Sequence, residues 1–241
     1  MPNWALNKLV VKGEPDALRS FLADNKTDEE FSFHALVPMP DVLDGTISPS
    51  RTSGQLLRMV QSQGLTALQM LNGEKGESTF PDMPATIDVS AAGVVQAKAI
   101  IEAYKAQGGT AHWILDYAQG IEGNWLAKEA TGYSNWFDWA CANWGTKWDC
   151  SRPDIFDSRI DEGELIIDFE TAWCSPEQWF RTVVSRYPDL AFTLDTGEPD
   201  CDFHVTFDGL DGSVCLSQET DFRSMAKSFW EWELDEEAVE A

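Results

Sequence analysis

Basic side chains are what this chain has least of for its size: 17 Lys and Arg against 41 Asp and Glu in 241 residues, for a formal net charge of −24. Such a surface repels nucleic acid and anionic membrane, so direct binding to either is not expected. Paired cysteines are missing too. Cys141, Cys150, Cys174, Cys201 and Cys215 are odd in number with no close pair, which argues against a disulfide framework and against a zinc knuckle. Histidine is scarce, and His34, His112 and His204 fall on different predicted elements without ligand spacing, so no metal is expected. No apolar run approaches the ~18–20 residues of a membrane span, and no signal-peptide core opens the chain. A cytoplasmic location in a host cell is the expectation. The G-x-S-x-G, P-loop and G-x-G-x-x-G patterns are absent as well, so the chain is expected to be neither an enzyme nor a cofactor binder.

What the chain does have is tryptophan, 11 in all, and a core-forming hydrophobic content of 43%. Trp136, Trp139, Trp144 and Trp148 lie within the fifteen residues Asn135 to Asp149. Four large rings so close together, each with one N–H needing a partner, read as a plug that nails a helix end and the loop after it into a core. The spacing predicts a helix over Tyr133 to Asn143, ended by Gly145. Trp136, Trp144, Trp148 and Trp173 are assigned to core packing on this reading.

Along the chain, Trp4 to Lys12 predicts a first strand, and Pro15 opens a helix whose Leu18, Phe21 and Leu22 share one face. Phe31 to Ala35 alternates as a second strand. Residues 52–131 turn helical, with segments expected around Leu56 to Leu71, Ala92 to Gln107 and His112 to Glu129. Ile155 to Arg159 and Glu164 to Thr171 predict a hairpin. Ser175-Pro176-Glu177 predicts a capped helix carrying Trp179, Phe180, Val183 and Val184 inward. A strand at Leu190 to Leu194 and a last hairpin over Phe203 to Leu216 follow.

This order is the split βαβ pattern of an α+β, ferredoxin-like sandwich with a large helical insertion and an extra C-terminal β-hairpin. The expected organisation is a discontinuous domain of residues 1–50 and 132–220, an insertion at 51–131 between the second and third strands, and an acidic tail at 221–241. The opening MPNW, the loop FSFHALVPMP, the stretch NWGTKWD and the run FETAWCSP resemble the YubB-like family of phage and plasmid accessory proteins. That resemblance implies a ferredoxin-like domain and a mobile-element origin. It implies no catalytic residue.

The acid is lopsided, since residues 132–241 hold 25 of the 41 acidic and 7 of the 17 basic side chains. On strands, Glu164, Asp168 and Glu170, with Asp202 and Asp208, are expected to point outward and to repeat at about 6.6–6.8 Å, like a row of phosphates. Such a face would let the protein occupy the basic channel of a host nucleic-acid-binding or defence protein. The plain alternative is that the acid only keeps the surface soluble. Two further readings stand beside it. Asp200 to Asp211 could serve a metal-dependent enzyme. Alternatively the chain is an interaction module working through tryptophan, with Trp230 and Trp232 of the tail as partner anchors.

Overall fold

The computed structural model describes residues 3–27, 30–46 and 112–223, the side chains of 112–121 excepted. The chain divides into one unit of Met1–Pro38 and Ala140–Ala241 and a second of Met39–Trp139.

The first unit is built on a six-stranded antiparallel sheet. Its strands are β1 (Trp4–Lys12), β4 (Ser151–Phe156), β5 (Glu164–Ala172), β6 (Ala191–Glu198), β7 (Phe203–Leu210) and β8 (Ser213–Thr220). They lie in the order β4-β5-β1-β6-β7-β8. Strict alternation drives the centre of this sheet: Ala5, Leu9 and Val11 of β1, Leu165, Ile167 and Phe169 of β5, and Phe192 and Leu194 of β6 are all buried on one face. Two helices cover that face, α1 (Pro15–Asp24) through Leu18, Phe21 and Leu22, and α5 (Glu177–Arg186) through Trp179, Phe180, Val183 and Val184. Gly209 lets α5 settle on β7, because a Cβ there would stand 2.3 Å from a methyl of Val184. With β1, α1, β4, β5, α5 and β6 in this arrangement, the unit is an α+β, ferredoxin-like sandwich. The β7-β8 hairpin extends it past β6.

The second strand is not where alternation places it. Phe31 to Ala35 splits into the two-residue β3 (Glu30–Phe31), paired with β2 (Lys26–Thr27), and a short helix α2 (Phe33–Leu36). Ser32 caps that helix by accepting the His34 N–H, and the Asp149 carboxylate accepts from Phe33 N–H and Ser32 Oγ–H at 2.7 and 2.6 Å. Phe31 and Phe33 still both go inward, edge to face with each other and against Trp179 at 5.5 and 4.6 Å. The role of second strand falls to β4. Everything from β2 to Cys150 is therefore inserted between α1 and β4, one element earlier than the alternation suggests.

Two smaller departures concern helix starts. The helix predicted from Tyr133 begins at Trp136, as α4 (Trp136–Asn143), with Asn135 Oδ1 accepting the Asp138 N–H. Pro176, not Ser175, stands at the N-cap of α5, and the Ser175 hydroxyl instead hydrogen-bonds that of Thr196 at 3.0 Å. In the second unit, a single 3-10 turn (Asp41–Leu43) and α3 (His112–Thr131) are described. The helices expected over Leu56 to Leu71 and Ala92 to Gln107 lie outside the described residues. Among those described, no helix is long and apolar enough to cross a membrane.

Candidate functional site: an exposed tryptophan cluster

The loop Trp144 to Asp149 explains itself residue by residue until Lys147. Trp144 is 4% exposed and donates its indole N–H to the Val37 carbonyl at 2.9 Å, while its own carbonyl receives the Trp179 N–H at the start of α5. Gly145 has φ +86°, and a Cβ there would meet the Glu177 nitrogen at 2.9 Å, so only glycine fits. Thr146 is fully buried and bonds the Ala172 carbonyl. Asp149 caps α2. Lys147 and Trp148 have no such internal duty, and Trp148 is 40% exposed.

A second stretch, strained at Trp173, lies beside the first. Trp173 ends β5 with φ +75°, a left-handed conformation that a bulky side chain rarely adopts and that costs on the order of 1–3 kcal/mol. Its N–H is tied to the Asn3 carbonyl at 3.1 Å, and its ring is 44% exposed. Behind it Thr171 accepts the Asn7 amide at 2.9 Å and bonds the Cys174 carbonyl, and Thr196 donates to Asn7 Oδ1 at 2.8 Å. This buried polar network fixes the ends of β1, β5 and β6 together.

The rings those loops display come together with Trp4. Trp4 and Trp148 lie 6.1 Å apart between centroids, tilted by 41°. The Lys147 ammonium stands 3.9 Å from the Trp148 centroid and 5.8 Å from that of Trp173. Among the described residues it has no carboxylate within salt-bridge distance. Trp4, Lys147 with Trp148, and Trp173 belong respectively to MPNW, NWGTKWD and FETAWCSP. Three of the four stretches that carry the resemblance thus converge on one exposed cluster.

The core assignment consequently holds for Trp144, which is buried, and fails for Trp148 and Trp173. Trp136 is half-buried. The spacing of the rings does not show which of them the loop turns outward. Lys147 and Trp4 join the cluster without being among the residues that sequence pattern singles out. The available signal was that Gly145 and Asp149 bracket Lys147-Trp148 tightly enough to turn them outward.

The acidic row on β5 is not bare. Register places Lys12 opposite Glu164 and Lys8 opposite Asp168. Glu164 pairs with Lys12 at 3.5 Å and with Arg159, and Glu170 pairs with Arg152 at 3.1 Å. Both carboxylates are more than four-fifths covered. Burial pushes the Asp168 carboxyl up, with Lys8 opposing and Asp154 adding to the rise. A half-buried, cross-paired strand is not a row of free negative charges. Asp202 stands exposed in the turn before β7, accepting the Arg223 N–H, and Asp208 accepts the Thr193 hydroxyl at 2.9 Å. The three β5 acids and these two aspartates therefore belong to separate local arrangements. Trp230 and Trp232 lie outside the described residues.

His204 is fully buried, its Nε2 3.0 Å from Asp195 Oδ1, which also accepts the Thr206 hydroxyl. It lies on the face of β7 opposite Phe207 and Gly209, which pack toward α5. Among the described residues no three His, Cys, Asp or Glu side chains are grouped to hold a metal ion. Burial and the neighbouring Asp149 raise the Cys150 thiol far from thiolate formation, and burial raises Cys174 as well, so neither is an activated nucleophile.

Residues 144–239 match the family model described as the ferredoxin-like domain in Api92-like protein. No curated protein matches. Among solved structures, the crystal structure of a protein api92 from Yersinia pseudotuberculosis is similar at 11% identity with a TM-score of 0.43, covering 92% of this chain and 98% of that one. The matched description is Api92-like and not YubB-like. The match begins at the tryptophan loop and takes in β4, β5, α5, β6, β7 and β8, while the central strand β1 comes from outside it. The C-terminal part of the chain, residues 144–239, is thus similar to the ferredoxin-like domain in Api92-like protein.

Proposed function

We propose that the protein is a non-enzymatic binding module that docks on a basic protein surface through Trp4, Trp148 and Trp173. The observation that carries this is the convergence of three separate sequence stretches on a solvent-facing aromatic cluster held by a strained residue and a buried polar network. Tryptophans of this kind, rigid and partly exposed, are what dominate binding energy at protein interfaces. The net charge of −24 selects the partner's sign and speeds encounter, while the rings supply short-range contact. A nucleic-acid-binding host protein, including one of a defence complex, has the required basic surface, and inhibition of it is the use this reading favours. Acid serves here as a steering field. The paired carboxylates of β5 give no support to a phosphate-like row.

Capture from a host lysate by the full chain, compared with a Trp148→Ala, Trp173→Ala double variant of unchanged melting temperature, tests the reading. Basic proteins retained by the native chain and lost by the variant, at least tenfold, are the expected result. Captured proteins should load more slowly at 500 mM than at 50 mM salt, because exposed charges are screened. Equal retention by native chain and double variant overturns the proposal.

A further inference from the structure

The same cluster contains a cation already, and resting on the docking reading above, we infer that Lys147 is an internal stand-in for an arginine or lysine side chain of the partner. In a chain with 41 acidic side chains, this ammonium has no carboxylate partner among the described residues and sits on indole faces instead. At 3.9 Å from one centroid and 5.8 Å from another, it marks the point where the negative ring faces of Trp148 and Trp173 both attract positive charge. Among the described residues nothing else fixes it there: the lysine stem is flexible, whereas the rings are set by the Gly145 turn, the left-handed Trp173 and its bond to Asn3. The rings are therefore the built part of the site and the ammonium is its movable part. A partner guanidinium, flat and weakly hydrated, stacks on indole better than an ammonium does and displaces it. Lys147 thereby acts as a competing latch that makes the cluster selective for arginine-bearing surfaces and keeps it from binding apolar ones.

The ligand class is an arginine side chain within a protein segment, and the prediction is opposite in sign to that for an ordinary interface lysine. Removing Lys147 improves binding.

The test uses the full-length chain, with Trp side chains labelled by 15N, titrated at 150 mM salt with a peptide of four Gly-Arg repeats and with its uncharged citrulline counterpart. Expected are saturable shifts of the Trp148 and Trp173 indole N–H signals with the arginine peptide and none with citrulline. Lys147→Met should tighten arginine binding roughly 3–10-fold, the worth of one cation–π contact at a partly exposed site. Lys147→Arg, which installs the better internal cation, should weaken it. Unchanged or weaker binding by Lys147→Met overturns the inference, as does equal response to citrulline. If the two-tryptophan variant above loses capture while Lys147→Met gains nothing, the docking surface stands and the cation assignment falls alone. If that variant keeps its partners and no indole moves, both fall.

Discussion

Trp179 and Trp148 are the same residue type, held in one loop-and-helix assembly, and they answer to different physics. Trp179 is fully buried, packed against Phe31, Phe33 and Phe169, so its ring belongs to the apolar face of the sheet. Trp148 rests on Trp4 with two-fifths of its surface in solvent, on a loop whose Trp144, Gly145, Thr146 and Asp149 are internally bonded. Stability accounts for the first ring. The second, left outside beside the left-handed Trp173, is the ring to which the proposed docking role applies.

Alanine substitution breaks this comparison most sharply. Trp179→Ala is expected to cost about 3–5 kcal/mol of folding stability, the range for emptying a large aromatic site in a packed core. Trp148→Ala is expected to cost about 1 kcal/mol or less, the scale of a single exposed ring contact, while abolishing arginine-peptide binding. Denaturant unfolding of both variants beside the native chain checks the pair. Equal losses would place Trp148 in the core after all and remove the argument for a surface role.

The next largest effect is expected at the residue that turns the loop outward. Gly145→Ala combines a φ of +86° with a Cβ 2.9 Å from the Glu177 nitrogen, so the backbone at the start of α5 has to shift. A loss of about 1–3 kcal/mol follows from the strain. Because the shift moves Lys147 and Trp148 off their rigid seat, binding should weaken by more than the stability change alone accounts for. The indole signals of Trp148 and Trp173 would report it at a temperature where the variant is still folded.

These positions also divide what could be read in advance from what could not. The sandwich was legible because β1, β5 and β6 alternate, and because α1 and α5 show Leu18-Phe21-Leu22 and Trp179-Phe180-Val183-Val184 on one side. Phe31 to Ala35 misled because alternating aromatics bury equally well when a helix starts between them, and the cap that starts it, Asp149, is 116 residues from Phe33. The cluster was hidden for the same kind of reason. MPNW, NWGTKWD and FETAWCSP are far apart in sequence; the β1-β5 register, in which Trp4 lies opposite Ala172, joins the first to the third, and the Thr146 bond to the Ala172 carbonyl ties in the second. The outward direction of the β5 acids was correctly inferred from alternation, but their neutralisation was not, since Lys8 and Lys12 reach them from another strand.

The smallest expected effect separates those acids from one another and so tests whether the outer face is held by pairing. Glu164 has two cationic neighbours, Lys12 and Arg159, whereas Asp168 has Lys8 on one side and Asp154 on the other. Burial and Asp154 raise the Asp168 pKa in the folded chain above its unfolded value of about 3.9. The folded state thus holds that proton more tightly than the unfolded state does. The stability this adds is fully present below the unfolded pKa and is lost as pH rises through the folded one, so at neutral pH the ionised carboxylate is a net cost. Asp168→Asn should therefore be more stable than the native chain at pH 7, by a few tenths to about 1 kcal/mol given partial exposure, with the advantage shrinking as pH falls through the carboxylate range. Glu164→Gln, which removes the negative charge that Lys12 and Arg159 face while leaving Arg159 its second partner Glu162, should lose a similar amount at pH 7. Unfolding curves for the two variants at pH 7 and pH 4 decide it: a destabilised Asp168→Asn at pH 7 would mean that Lys8 outweighs burial, and that the outer face of β5 is paired along its whole length.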